Sequence, residues 1–358
     1  MPESSAVVRP EPFDSGSYTA TSRLQAAGLQ RAITLFAEAA ETVPIPQPPR
    51  PIVIADYGAA TGHNSLLAVG AAIAVLRKRT RPEHSVLVTH TDVPENDFTE
   101  LFRTLSEDPD TYLKKDAASF ASAVGRSFYR QIVPSNSVNL AWSAWAIQWL
   151  GRVPCPVPDH VVSAYSRDED VRSAYARQAA HDWHEFIAFR GRELSPGGRL
   201  VVMTTAIAED GDFGYRPLLD ATMATLTDLA ARGVLDEDEV RQMSIPIVAR
   251  RGRDFLSPFA PSGTFEKLSV EHVEVFDAED RFWTQYKVHQ KAAAFGRNWA
   301  AFLRASTFPA LAAQLAEERR AGFLDALTSG VAERLAAAPA EIRIPLAEIV
   351  IEKKQSAH

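Results

Sequence analysis

The sequence predicts an α/β fold, a doubly wound and mostly parallel sheet with an added helical cap, on three observations. Short apolar runs bounded by turn residues alternate with segments of helical periodicity. The first of these runs, Ile52-Val53-Ile54, passes straight into the small-residue turn ADYGAATGHNS. Strand, helix and strand then follow within about 40 residues, which is a βαβ unit. Of the 358 residues 46% are hydrophobic and 23% charged, enough to build a large core. A net charge of −7 leaves no broad basic surface for a phosphate backbone or an anionic membrane, so a small molecule is the expected partner. The single cysteine, Cys155 in VPCPVPD, cannot build a disulfide framework or a zinc site by itself and fits a reducing cytoplasm. The N-terminus lacks a signal-peptide pattern, and the longest apolar run, LLAVGAAIAVL, is too short to span a bilayer.

In chain order, SYTATSRLQAAGLQRAITLFAEAAETV places Leu24, Leu29, Ile33 and Phe36 at helical spacing before the proline run VPIPQPPRP, giving an N-terminal arm over 1–50. The α/β core covers 51–206. Its first strand, 52–56, leads into a helix over about 65–77, and SVLVTHTD is the second strand. SVNLAW, near 137–142, and RLVVMTTA, after the turn SPGG at 195–198, read as further strands, with DVRSAYARQAAHDWHEFIAFRGREL as a helix between them. Helical segments at about 216–232 and 288–339 belong to a cap assigned to 207–264 and 288–340. EKLSVEHVEVFD and IRIPLAEIVIEKK, within 265–287 and 341–358, are closing strands at the far edge of the sheet.

A turn this small at the end of a first strand lets backbone approach a ligand closely. It is not a P-loop, because Gly62 is followed by His63-Asn64 instead of Lys and Ser/Thr, and Ala60 stands where a dinucleotide fingerprint needs its second glycine. S-adenosylmethionine suits it. Asp56 and Asn64 flank the turn with groups for a zwitterionic tail, and Asp92 ends the second strand where it can accept from both ribose hydroxyls. A plain helix entry, with Asn64 or Ser65 as cap, is the alternative.

Several blocks together resemble the SABATH carboxyl methyltransferases: IADYGAATGHNSLLAV, DVPENDFTELF, GRSFYRQIVPSNSVNLAWSAWAIQWLGRVP, SPGGRLVVMTT and the arm SYTATSRLQ. The resemblance covers nearly the whole chain and implies a Rossmann-like class I methyltransferase sheet. It implies that Tyr18 and Ser22 close over S-adenosylmethionine, that Asp56, Gly58 and Asn64 hold its amino acid end, and that Ala59 and Ser143 also belong to the cofactor site. Asp92 and Val93 take the ribose and adenine edge, and Ser127-Phe128 the adenine ring. Gln25 and Trp149 hold the acceptor carboxylate, with Trp145 and Gln148 on the same wall. Three positions depart from common members, Ala59, Gln148 and Trp145. The segment after VPCPVPD lacks the asparagine-bearing loop that contributes to a magnesium site in some members, so no metal is expected. Members often dimerise, which makes a homodimer an expectation.

Carboxylic acids of pKa about 4 to 5 are already ionised at neutral pH, so methyl transfer to one needs no general base. No convincing catalytic triad, carboxylate pair or Cys/His couple stands in the sequence. The aromatic and aliphatic cap, including Phe213, Tyr215, Phe255, Phe259, Phe302 and Phe308, points to a medium-chain fatty acid as acceptor. An aromatic acid of the salicylate or benzoate type is the alternative, and a nicotinamide-dependent oxidoreductase on a similar sheet is the competing class. Trp142 is read as core. His181 and His184 share a helical face without a third ligand, and ARRGRD at 249–254 is read as a solvated loop.

Overall fold

The computed structural model describes residues 15–355, and side chains from Leu29 onward. The elements run α1 (Ser15–Thr42), β1 (Ile52–Tyr57), α2 (His63–Arg77), β2 (Val86–Asp92), α3 (Phe98–Glu107), α4 (Tyr112–Lys115), β3 (Ser119–Gly125) and β4 (Val138–Ala144). There follow α5 (Glu169–Glu193), β5 (Leu194–Thr205), α6 (Arg216–Ala231), α7 (Glu237–Gln242), α8 (Gly252–Leu256) and β6 (Leu268–Ala278). The chain continues through α9 (Arg281–His289), α10 (Ala292–Ser306), α11 (Phe308–Ala312) and α12 (Glu317–Ala337) to β7 (Ile344–Lys353). No helix among the described residues is long and apolar enough to cross a membrane.

The strands form one seven-stranded sheet in the order β3-β2-β1-β4-β5-β7-β6. β1 to β5 run parallel to one another, and β7 lies antiparallel between β5 and β6. The two late strands therefore close the far edge, as expected. Alternate residues serve opposite faces: Ile52, Ile54, Leu140, Trp142, Val201 and Met203 pack under α1 and α2, whereas Ala55, Tyr57, Ala141, Leu200 and Val202 pack under α5. Near-continuous apolar strands follow from this two-sided burial. The second half of the arm is itself core, with Leu29, Ile33 and Phe36 buried and the Phe36 ring 5.0 Å from Trp142.

Four expectations need adjustment. SPGG is not a turn before the strand but an irregular stretch within β5, whose register against β4 shifts between Val138 and Leu140 while Gly197 takes φ 78°. β3 was not expected, because its Ala- and Ser-rich edge sequence carries little β-branched signal. The 288–339 helical region is broken into α10, α11 and α12. Phe255 and Phe259 are not in the cap; they pack with α5 on the other face, Phe255 standing edge-on to Trp183 at 5.3 Å.

Candidate functional site

β1 lies between β2 and β4, so connections leave it in opposite directions and a crevice opens at the carboxyl ends of these strands. The turn after β1 fills that crevice. Gly58 (φ 85°), Ala60 (φ 46°) and Gly62 (φ 86°) all lie in the left-handed region. A Cβ on Gly58 would meet Ala146 Cβ at 2.3 Å, so glycine is required there by the close approach of the segment after β4. The turn is held from the next strand. Gly58 N and Ala59 N both donate to Thr91 O, and Ala60 N donates to Asp92 Oδ2 at 2.8 Å. Asp92 Oδ1 accepts from Val93 N at 2.8 Å, and Asn96 Nδ2 donates to Ala60 O at 2.9 Å. Gly62 stands at the N-cap of α2, so neither Asn64 nor Ser65 caps that helix.

Beneath the turn is a cavity of about 290 Å³. Gly58, Asn64, Asp92, Val93, Ser127, Phe128, Trp145, Gln148 and Trp149 line it, which brings together most of the expected residues. Asp56, Ala59 and Ser143 stand behind the wall. Asp56 is 1% exposed, its Oδ2 accepting from Ser65 Oγ at 2.6 Å and pairing with His90 Nδ1 at 2.8 Å. Ser143 Oγ donates to Tyr57 O, and Ala59 is buried in the turn. Tyr18, Ser22 and Gln25 lie on the first half of α1, outside the residues whose side chains are described. Gln148 reaches the cavity with its amide engaged at both ends, Nε2 donating to Trp145 O and Oε1 accepting from Thr204 Oγ1.

Sequence reasoning passed over Asn96, Tyr129, Ile247 and Leu219 in the lining. The runs holding Asn96 and Tyr129 were visible as blocks; Leu219 and Ile247 come from distant segments and left no local signal. The roof combines Phe213, Leu218, Leu219, Ile247, Phe302 and Leu303. Trp145 Nε1 and Tyr215 Oη are buried with no partner among the described residues.

The wall carrying Phe128 is fixed from behind by a buried ion pair. Arg190, 0% exposed, donates to Phe128 O at 2.7 Å and Arg130 O at 3.0 Å, pairs with Glu193 at 2.8 Å and lies over the Tyr57 ring. Glu193 in turn accepts from Tyr57 Oη at 2.6 Å and from the backbone of Ile132 and Val133. Each charge is thus hydrogen-bonded, the condition for an interior ion pair. The Trp149 side is held similarly, with Tyr129 Oη donating to Trp149 O at 2.6 Å. Arg250 is not in a solvated loop: it is 2% exposed and donates to Ile147 O and Ala179 O.

Burial raises the pKa of the Asp92 carboxyl to about 6, against the opposing pull of the Ala60 and Val93 N–H groups. Each Asp92 oxygen accepts one backbone N–H, which leaves further lone pairs on the carboxylate for donors such as a pair of sugar hydroxyls.

Residues 12–354 match the family model described as SAM dependent carboxyl methyltransferase. The chain is 27% identical over 245 residues to salicylate carboxymethyltransferase of Clarkia breweri, covering 65% of each chain. It is 24% identical over 326 residues to gibberellic acid methyltransferase 2 of Arabidopsis thaliana, covering 84% of this chain and 83% of that one. The solved structure of a loganic acid methyltransferase with SAH superposes with a TM-score of 0.76 at 21% identity, covering 97% of this chain and 99% of that one. The family match, over residues 12–354, takes in all seven strands of the sheet.

Proposed function

Because the chain belongs to the SAM-dependent carboxyl methyltransferases, we propose that it esterifies a small hydrophobic carboxylic acid, with a medium-chain fatty acid as the favoured acceptor. Family membership sets aside the oxidoreductase alternative. The observation that carries the acceptor reading is the roof of Phe213, Leu218, Leu219, Ile247, Phe302 and Leu303 over a cavity whose described lining holds Asp92 and no other charged side chain.

S-adenosylmethionine, when bound, supplies an electrophilic methyl group on a sulfonium. Asp92 would hold the ribose, Phe128 and Ser127 the adenine, Val93 its edge, and Asn64 with the open turn at Gly58 the amino acid end. Asp56, tied to Ser65 and His90, fixes the start of α2 beneath that end. Trp149, with Gln25 from the arm, would orient the carboxylate through neutral donors, which leave its nucleophilicity largely intact. The carboxylate arrives ionised, so the chain has only to align one oxygen and exclude water, an effect that can supply about 7 to 11 kcal/mol. Trp145 and the roof provide the dry wall. An arm carrying Tyr18 and Ser22 would complete the enclosure once both ligands are present.

An acceptor series tests this. Each methylene moved from water into the roof contributes about 0.8 kcal/mol, or roughly fourfold in kcat/KM. A labelled-methyl assay across straight-chain acids from six to twelve carbons should show that rise until the cavity is filled, with benzoate and salicylate below the best of them. A preference for an aromatic acid, with no dependence on chain length, would support the alternative acceptor class instead.

The Asp92 carboxyl adds a pH prediction. A folded pKa of about 6, above its ordinary value of 3.8, means that this group favours the ligand-free fold below pH 4, a contribution lost as pH rises through 6. Ribose hydroxyls reverse the preference, because they donate to the ionised form. Affinity for S-adenosylhomocysteine should therefore be nearly flat above pH 7 and fall about fivefold between pH 6 and pH 5. Calorimetry over that range should show the slope in the wild type and none in Asp92→Asn.

A further inference from the structure

We propose that His272, Glu274 and Glu348 form a binding site for one divalent transition-metal ion at the β6–β7 edge of the sheet. None of the three lines the cavity, so this site is separate from methyl transfer. Glu274 and Glu348 are direct cross-strand partners, and His272 lies two residues along β6 on the same face as Glu274. Each offers one ligand atom, and those atoms all lie within 4.8 Å of one another.

Two carboxylates opposed across a ladder repel unless a cation joins them. Arg31 of α1 supplies one positive charge, its Nη2 2.6 Å from Glu274 Oε2 and its Nε 3.4 Å from Glu348 Oε2. One guanidinium against two carboxylates leaves the cluster a negative charge to be met. A second, independent observation points to a ligand. Glu348 is 1% exposed, yet its Oε1 has no hydrogen-bond partner among the described residues; His272 Nε2 also lacks a hydrogen bond there and lies 3.8 Å from Glu274 Oε2. An interior carboxylate oxygen with no partner is costly.

The donor set selects the ion. One imidazole with two carboxylates suits zinc, manganese or iron, whereas magnesium and calcium prefer all-oxygen sites. Zinc takes nitrogen and oxygen at about 2.0 to 2.2 Å, so its ligands must draw together by roughly an ångström, within reach of two glutamate arms. The Glu274 side chain is 44% exposed, which leaves an entry path and room for water as a fourth ligand.

The test is calorimetric titration of chelator-treated full-length protein with zinc chloride. His181→Ala/His184→Ala serves as the background, to remove the histidine pair on the exposed face of α5. The expected result is one zinc per chain, with affinity lowered at least tenfold by His272→Ala and by Glu274→Gln. Both side chains are more than one-third exposed, 37% and 44%, so the variants should keep the fold. Unchanged S-adenosylhomocysteine affinity verifies this, and magnesium should give no binding heat. Absence of zinc binding, or equal affinity in the background protein and both variants, would overturn the proposal.

Discussion

Replacing Asp92 with alanine is expected to weaken S-adenosylhomocysteine binding by tenfold to several hundredfold. A hydrogen bond to a charged group contributes about 1.5 to 3 kcal/mol, and the proposed role of this side chain is to accept from two ribose hydroxyls. The structure adds a second reason. Asp92 also accepts from Ala60 N and Val93 N, so its loss frees the tip of the turn that cradles the ligand. Titration calorimetry of the variant measures the effect, and affinity equal to wild type would remove Asp92 from the ribose site. Asp92→Asn should fall between the two, since it preserves one acceptor without the charge.

Trp149→Phe is the second large effect, expected in turnover. The substitution keeps an aromatic wall and deletes one neutral N–H, so kcat/KM for the acceptor should drop by about ten- to a hundredfold, the range for a donor to a charged oxygen. Cofactor affinity should stay at the wild-type value, because the proposed role of Trp149 is to hold the acceptor alone. Loss of both would indicate that the contact between Tyr129 Oη and Trp149 O had been disturbed and the wall had moved.

The residues assigned to the cofactor were legible because they are local. Gly58, Asn64, Asp92 and Val93 belong to one βαβ unit whose strand-turn-helix pattern is written in consecutive residues, and the parallel register then brings them together. The residues assigned to the acceptor come from segments far apart in the chain, such as Trp149, Ile247 and Phe302, which only tertiary packing brings to one cavity. Charge was the poorest guide. Arg250, read within ARRGRD as part of a solvated loop, is buried, as are Arg190 and Glu193 at the end of α5, and each holds backbone behind the cavity wall. Only tertiary partners distinguish such residues from surface charge. Asp56 illustrates the converse: a carboxylate well placed in sequence for a ligand is occupied by Ser65 and His90.

The most direct test is a crystal structure of the protein with S-adenosylhomocysteine and a medium-chain carboxylate such as decanoate. The expected result places both ribose oxygens within hydrogen-bond distance of Asp92, the adenine beside Phe128, and the acceptor carboxylate at the Trp149 indole N–H with its tail under Phe302 and Leu219. A nucleoside bound away from Asp92, or a carboxylate turned from Trp149 toward the roof, would contradict the assignment of this cavity as the methyl-transfer site.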